Sequence, residues 1–440
     1  WQFEKMTRSK EKKRIEVGLM GLGVVGGGVA RILNQKADSL TQQVGCPLVI
    51  KRILVRDPAK KRSLQVDLEL LTTNAKDIIA DPDIDVVVEV IGGESPALEF
   101  IRESLLRGKH VVTANKEVIA KHGRELLALA HQHGVDILYE ASVGAGIPLI
   151  GPLKQGLLAN HITAIRAIIN GTTNYILTRM SQEGMDFSAA LRQAQELGYA
   201  EADPTNDVEG IDAAYKLAIL ATLAFHTEIR PQDIYHEGII RLTARDFRYA
   251  KELGYAIKLL AIAKETNSAI EVRIHPTLIP EELLLAKVDG VFNAVQFDGD
   301  LIGRLLFYGK GAGDLPTTSA VVADLIDLAQ KITLDLNCQF QMILDTGKSL
   351  KPFAEIETRY YMRMSVADRP GVLAQIAKIL GDNNISIASV IQKEADASAQ
   401  TAEIVIMTHP ALELAMQTAL GEMAQLHLIK EIGNFVRVET

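Results

Sequence analysis

From Ile15 onward, short apolar runs alternate with longer stretches in which apolar residues return every three to four positions. IEVGLM at 15–20 precedes a helical stretch at 22–34, and LVIKRILV at 48–55 and DVVVEVIGG at 85–93 follow. A helix at 95–107, KHVVT at 109–113, a helix near 117–133 and DILYE at 136–140 continue the alternation. Strands spaced by helices of this length predict an α/β domain with a parallel sheet and crossover helices over residues 15–150. Beyond it, long helices mix with Ile- and Val-rich strands at 161–170, 255–265, 269–279 and 288–299, which predicts an α+β domain over 151–335. A helix at 319–332 ends that domain. Periodicity then lapses around Gly347, Lys348, Ser349, Lys351 and Pro352, so 336–357 reads as a linker. The order strand, helix, strand, strand, helix, strand over 358–440 makes a βαββαβ module of the ferredoxin-like kind. Residues 1–14 are mixed in charge and aperiodic, and read as a disordered lead-in.

Composition changes this picture only by exclusion. With 47 Lys and Arg against 55 Asp and Glu, the net charge of −8 argues against a nucleic-acid or anionic-membrane partner. No apolar run approaches the ~18–20 residues that a membrane-spanning helix needs. The two cysteines, Cys46 and Cys338, are far apart and form no CxxC, so neither a disulfide framework nor a thiolate metal site is expected. The expected setting is reducing and cytoplasmic.

Chemistry enters at Gly21-Leu22-Gly23-Val24-Val25-Gly26, which follows the first apolar strand and opens a helical stretch. In that context the glycines permit a tight turn, close approach of backbone to a pyrophosphate, and close helix–sheet packing. A Rossmann-type dinucleotide-binding domain is the expectation, with Gly21, Gly23, Val24, Val25 and Gly26 at the cofactor. Gly92, Thr113 and Lys116, at or just after later strand ends, join them as candidates. The second strand ends Val55-Arg56-Asp57 and leads to Lys60, Lys61 and Arg62. A guanidinium at Arg56 suits the 2′-phosphate of NADP, whereas Asp57 on the ribose would suit NAD.

The block Gly198 to Asp212 is an acidic loop that feeds a helix carrying Asp212 and Lys216. The pair is spaced i, i+4 and shares one helix face. Such pairs are normally surface salt bridges, yet these are the only charges from Ile211 to Phe225, on a helix apolar all round. A buried lysine beside a carboxylate can be tuned to exchange a proton with a substrate hydroxyl. The loop itself, with Glu201 and Asp207, reads as a receiver of a substrate ammonium, a solvated turn or a cation site. Asn170-Gly171-Thr172-Thr173-Asn174 reads as a helix N-cap or a carboxylate cradle. Glu140 to Pro148 reads as a plain connection, or as a turn whose carbonyls hold Na⁺.

GLGVVGGGV, TANK, YEASVGAGIP, NGTTNYIL, GYAEADPTNDVEGIDAAYKL and GKGAGDLPTTSAVVADL occur in this order. Together they resemble homoserine dehydrogenase over roughly residues 15–335. The resemblance implies NAD(P)-dependent interconversion of L-homoserine and L-aspartate 4-semialdehyde, on the route to threonine, methionine and isoleucine. It implies Lys216 as the acid/base, with Asp212 and Lys116 beside it. It also implies Glu201, Asp207, Gly171, Thr172 and Tyr199 at the substrate, and Gly313 at the cofactor. A monovalent cation, Na⁺, would be held by Glu140 and the carbonyls of Val143, Ala145 and Ile147. The domain over 151–335 would then bind substrate and make a homodimer or homotetramer.

Asp368-Arg369-Pro370-Gly371-Val372-Leu373, followed by Asn383-Asn384-Ile385, resembles an ACT domain. That resemblance implies an amino-acid effector, L-threonine, at Asp368, Gly371, Asn384 and Ile385; a purely dimerising module is the other reading. Loss of threonine sensitivity on truncation after Leu350, with activity kept, would support the regulatory reading. Other ACT-bearing dehydrogenases leave TANK and the Glu201 to Lys216 block unexplained. Aspartate-semialdehyde dehydrogenase needs a catalytic thiol that neither cysteine is placed to supply. A sensor without catalysis has no use for Lys116, Asp212 and Lys216.

Overall fold

The strands of the first sheet are short and apolar, as a sheet covered on both faces requires. In the computed structural model, Ile15–Met20 and Val86–Glu89 are buried at every residue. The structure describes residues 12–62, 66–336, 344–345, 347–396 and 400–439. Residues 1–11 of the expected lead-in, Cys338, and 337–343 and 346 of the expected linker lie outside these. The first sheet is parallel throughout, in the order Leu71–Thr72, Leu48–Leu54, Ile15–Met20, Val86–Glu89, His110–Thr113, Ile137–Leu138. This is the doubly wound order of dinucleotide-binding sheets.

One differs from expectation: the strand read at 136–140 stops at Leu138, because Tyr139 (φ −151°, ψ 33°) bends the chain into a short 3-10 turn, Glu140–Ser142. The helices Val24–Gln35 and Asp314–Thr333 bury Val29, Leu33, Val321 and Leu325 in one core with Ile15, Val17 and Leu19. Gly28 permits the helices to meet, since a Cβ there would fall 2.1 Å from Thr318 Oγ1.

The second unit is built on a sheet that runs Gly303–Lys310, Phe292–Gly299, Ile162–Ile168, Tyr255–Thr266, Ala269–Pro280, Ile429–Val438, Glu357–Ala367, Thr401–Thr408, Ile387–Asp396. The last four strands, with helices Val372–Asp382 and Glu413–Met423, are the expected βαββαβ module. Its own core gathers Tyr360, Met362, Met364, Ile376, Leu380 and Met416. The module shares the larger sheet: Ile429–Val438 pairs in parallel with Ala269–Pro280 through Thr277↔Arg437 and Leu278↔Val438.

By packing, the chain groups into two units. Asn160–Leu217, Gln232–Tyr308 and the C-terminal module form one unit, while Ala218–Pro231 and Gly309–Asp345 group with the parallel sheet. Shared strands and shared cores decide this grouping, and a one-dimensional pattern carries neither.

Candidate active site

In the first unit the three motif glycines do separate work. Gly21 has φ +104°, and a Cβ there would meet Val90 O at 2.9 Å. A Cβ on Gly26 would fall 2.0 Å from Gly21 O, so that glycine sets how closely the helix sits on the sheet. Gly23, at the N-cap of Val24–Gln35, has nothing within 4 Å of its missing Cβ. It opens on the space where a pyrophosphate meets the helix N-terminus.

A cavity of about 490 Å³ continues from Gly21 and Gly23 to Arg56, Asp57, Lys60 and Arg62. Asp57 Oδ1 accepts from Ala59 N at 2.8 Å, and Arg62 folds back onto the carbonyls of Asp57 (2.6 Å) and Lys60 (2.9 Å). Arg56 and Lys60 make no side-chain hydrogen bond or ion pair among the described residues, which leaves two uncommitted cations on the wall.

Lys116 is the first residue of the helix Lys116–Gln132, and Asn115 caps it by accepting from Val118 N at 3.2 Å. Asn115 Nδ2 donates to Gly93 O at 2.7 Å. The Thr113 hydroxyl donates to buried Glu89 Oε2 at 2.6 Å, and Glu89 Oε1 accepts from the amides of Ile91 (2.7 Å) and Gly92 (3.3 Å). Thr113 thus acts on this turn through Glu89. Glu89 was not singled out from the sequence, although a carboxylate inside VVVEVIGG was the available signal.

The second unit holds the buried Lys216–Asp212 pair. Asp212 and Lys216 are 4% and 9% exposed, on the helix Ile211–Phe225, as its uniformly apolar sequence predicted. Lys216 Nζ donates to Asp212 Oδ2 at 2.7 Å and to Ile169 O at 2.8 Å. Asn170 Nδ2 donates to Asp212 Oδ2 at 2.8 Å and to Asp207 Oδ1 at 2.7 Å. Asn170 Oδ1 meanwhile caps Gly171–Glu183 by accepting from Thr173 N at 2.8 Å. The helix cap read here is carried by Asn170, and the other end of its amide bonds two of the protein's own carboxylates. Burial pushes the Asp207 carboxyl above its usual range, and the Asn170 bond only partly offsets this.

The remaining candidates divide. The Thr172 hydroxyl donates to Tyr199 O at 2.7 Å, and Gly171 serves close packing, since a Cβ would meet Val291 O at 2.9 Å. Tyr199 leans on Tyr175 at 5.0 Å between ring centroids, and Glu201 is exposed. Gly313, at φ +127°, caps Asp314–Thr333, and Asp314 is bonded to Arg31 at 3.0 Å.

Glu140 receives the amides of Leu149 (2.6 Å) and Ile150 (2.9 Å) on Oε1 and of Gly151 (2.6 Å) on Oε2. A carboxylate offers about four lone-pair sites, so one remains on Oε2. Val143, Ala145 and Ile147 are buried, and no hydrogen bond reaches their carbonyls among the described residues. Buried carbonyls beside a carboxylate suit a hard, oxygen-seeking cation. No cluster of three His, Cys, Asp or Glu suited to a metal occurs among the described residues.

Family models described as "Homoserine dehydrogenase, NAD binding domain", "Homoserine dehydrogenase" and "ACT domain" match residues 21–140, 148–326 and 360–427. The homoserine dehydrogenase of Neisseria gonorrhoeae is 42% identical over 433 residues, spanning 97% of this chain and 99% of that protein. The crystal structure of a homoserine dehydrogenase from Thiobacillus denitrificans is 45% identical and superimposes with a TM-score of 0.91, over 97% of this chain and 98% of that one. A hyperthermophilic archaeal homoserine dehydrogenase in complex with NADPH is 27% identical with a TM-score of 0.62, over 74% of this chain and all of that one.

Proposed function

The chain belongs to the homoserine dehydrogenase family, an NAD(P)-dependent oxidoreductase acting on a CH–OH group, and from that premise we propose how its residues divide the work. The substrates are L-homoserine and L-aspartate 4-semialdehyde, and the place of the reaction is the supply of threonine, methionine and isoleucine. In the oxidative direction Lys216, as the neutral amine, takes the proton from the substrate hydroxyl. Asp212 and Ile169 O orient the amine and stabilise the ammonium that forms. In reverse the ammonium returns the proton to the oxygen. Lys116 assists that transfer, and Asp207, with Glu201 at the loop's exposed edge, receives the substrate ammonium.

The dinucleotide, when bound, supplies the hydride acceptor. Gly23 and the N-terminus of Val24–Gln35 would hold its pyrophosphate, with Gly313 as a further contact. Arg56 and Lys60 favour NADP over NAD, because Asp57 is engaged in its own turn. Glu140 and the carbonyls of Val143, Ala145 and Ile147 would hold a monovalent cation, Na⁺, which would supply charge that steadies the turn. The C-terminal module takes L-threonine as a feedback effector at Asp368, Gly371, Asn384 and Ile385. The enzyme works in the cytoplasm as a homodimer or homotetramer.

The observation that carries the reaction is the buried, fully oriented Lys216–Asp212 pair. The test is nicotinamide absorbance with L-homoserine and NADP⁺ or NAD⁺, in Na⁺ or K⁺, with and without L-threonine. Faster reduction of NADP⁺ that threonine suppresses is the expected result. No reduction of either cofactor by folded protein would overturn the assignment.

A further inference from the structure

Where the C-terminal module joins the α+β sheet, the second unit encloses a cavity of about 670 Å³. Glu209, His236 and Arg241 line one side, and Gln417, Leu420 and Ile432 of the module line the other. Its floor is a closed charge network. Arg437 Nη1 donates to Glu237 Oε2 at 2.8 Å, while Nε and Nη2 donate to Glu413 at 2.8 and 2.6 Å. The Tyr235 hydroxyl donates to the same Glu237 oxygen at 3.1 Å.

Two charges on the walls stay outside that network. The half-buried Glu209 carboxylate and the exposed Arg241 guanidinium make no hydrogen bond or ion pair among the described residues. Gly238 keeps room for the carboxylate, since a Cβ there would lie 2.8 Å from Glu209 Oε2. An uncommitted anion and cation beside the apolar Leu420 and Ile432 complement a small zwitterion with a short apolar side chain. The volume is within the usual range for small-molecule sites.

We propose that this cavity binds a free α-amino acid, its ammonium on Glu209, its carboxylate on Arg241 and its side chain against Leu420 and Ile432. This site is separate from the turns at Asp368–Gly371 and Asn384–Ile385, and it rests on the reading that the module senses an amino acid. Its position gives occupancy a route to the substrate. Glu209 directly follows the helix Thr205–Val208, which carries Asp207. Ile239 N donates to Val208 O at 2.9 Å, and His236 Nδ1 lies 3.0 Å from Glu209 O, so hydrogen bonds tie the cavity wall to the substrate loop. A ligand that draws on Glu209 acts on Asp207, and through Asn170 on Asp212.

The test is calorimetric titration of the full-length enzyme with L-threonine, L-methionine and L-isoleucine, repeated on E209Q, R241M and the turn variant D368N/N384A. Inhibition of homoserine oxidation is followed in parallel. The expected result is binding of at least one of the three to wild type, weakened about tenfold or more in E209Q and R241M, with basal kcat kept in R241M. Binding lost only in D368N/N384A overturns this site and keeps the sensing reading. Inhibition competitive with homoserine and unmoved by R241M assigns the ligand to the catalytic site and also overturns it. Failure of all three amino acids to bind wild type overturns the sensing reading, and this inference with it.

Discussion

Asn170 donates to Asp212 Oδ2 at 2.8 Å, the same oxygen that receives Lys216 Nζ at 2.7 Å. One amide thus fixes the carboxylate that holds Lys216, the proposed proton carrier, and, through its second bond, the carboxylate of Asp207. N170A should lower kcat/KM for homoserine by roughly 10²-fold, because buried Asp212 and half-buried Asp207 lose a shared donor and the carboxylate that holds the lysine is loosened. The KM for NADP should stay within about twofold. Steady-state kinetics with each substrate varied checks both, and an unchanged kcat/KM would remove Asn170 from the mechanism.

Lys216→Ala should lower turnover by ~10²–10⁴ and leave NADPH binding near normal, the usual scale for losing a general acid/base. NADPH fluorescence titration and single-turnover hydride transfer separate the two effects. Turnover comparable to wild type would sink the role.

The raised carboxyl of Asp207 sets a pH dependence. It keeps its proton to higher pH than an ordinary aspartate, so its affinity for a substrate ammonium fades earlier on acidification. KM for homoserine should climb as pH falls from neutrality toward 4, and D207N should show a high, flat KM over that window. The stability sign is opposite. The folded state holds a proton that the unfolded chain releases near the ordinary aspartate value of 3.8, so this group's contribution is lost as pH rises through the folded value. Thermal melts of D207N should lack that decline. A KM for the wild type that is flat down to pH 4 would contradict the assignment.

The parallel sheet and the βαββαβ module were legible because each element carries its own period, and the glycine motif was legible because each glycine answers a local steric need. The burial of Asp212 and Lys216 could be read from one helix with no other charge. The Asn170 bridge could not be read, since it joins residues 42 positions apart through a side-chain rotamer. The fusion of the module to the larger sheet was hidden for a related reason. FVRVE reads as a closing strand, and nothing local says that its far edge pairs with Thr277 and Leu278.

Arg56 and Lys60 are the uncommitted cations of the adenosine-side cavity, whereas Arg62 is spent on backbone carbonyls. R56A/K60A should raise KM for NADP by about tenfold and change KM for NAD little, because only the former carries a 2′-phosphate. R62A should act on both cofactors alike by loosening the turn. Parallel kinetics with the two dinucleotides decides this, and equal loss for NADP and NAD in R56A/K60A would favour a role in turn structure.

Truncation after Leu350 removes a strand that the α+β sheet uses. Glu439 accepts from Arg166 Nε at 2.9 Å and Arg273 Nη2 at 3.2 Å, and also pairs with Lys264. Arg273 is 2% exposed. Cutting the module away takes this shared anion from all three cations, leaving Arg166 to Asp298 and Arg273 to Glu271, and uncovers the edge of Ala269–Pro280; breaking a buried pair costs up to about 3–5 kcal/mol. The truncated chain should therefore melt well below the full-length enzyme and lose most basal turnover, while R241M keeps both. Differential scanning calorimetry and activity on the two proteins make the comparison. A truncated enzyme with unchanged melting temperature and turnover would mean that the sheet stands without its shared strand, and deletion would then be a clean test of effector sensing.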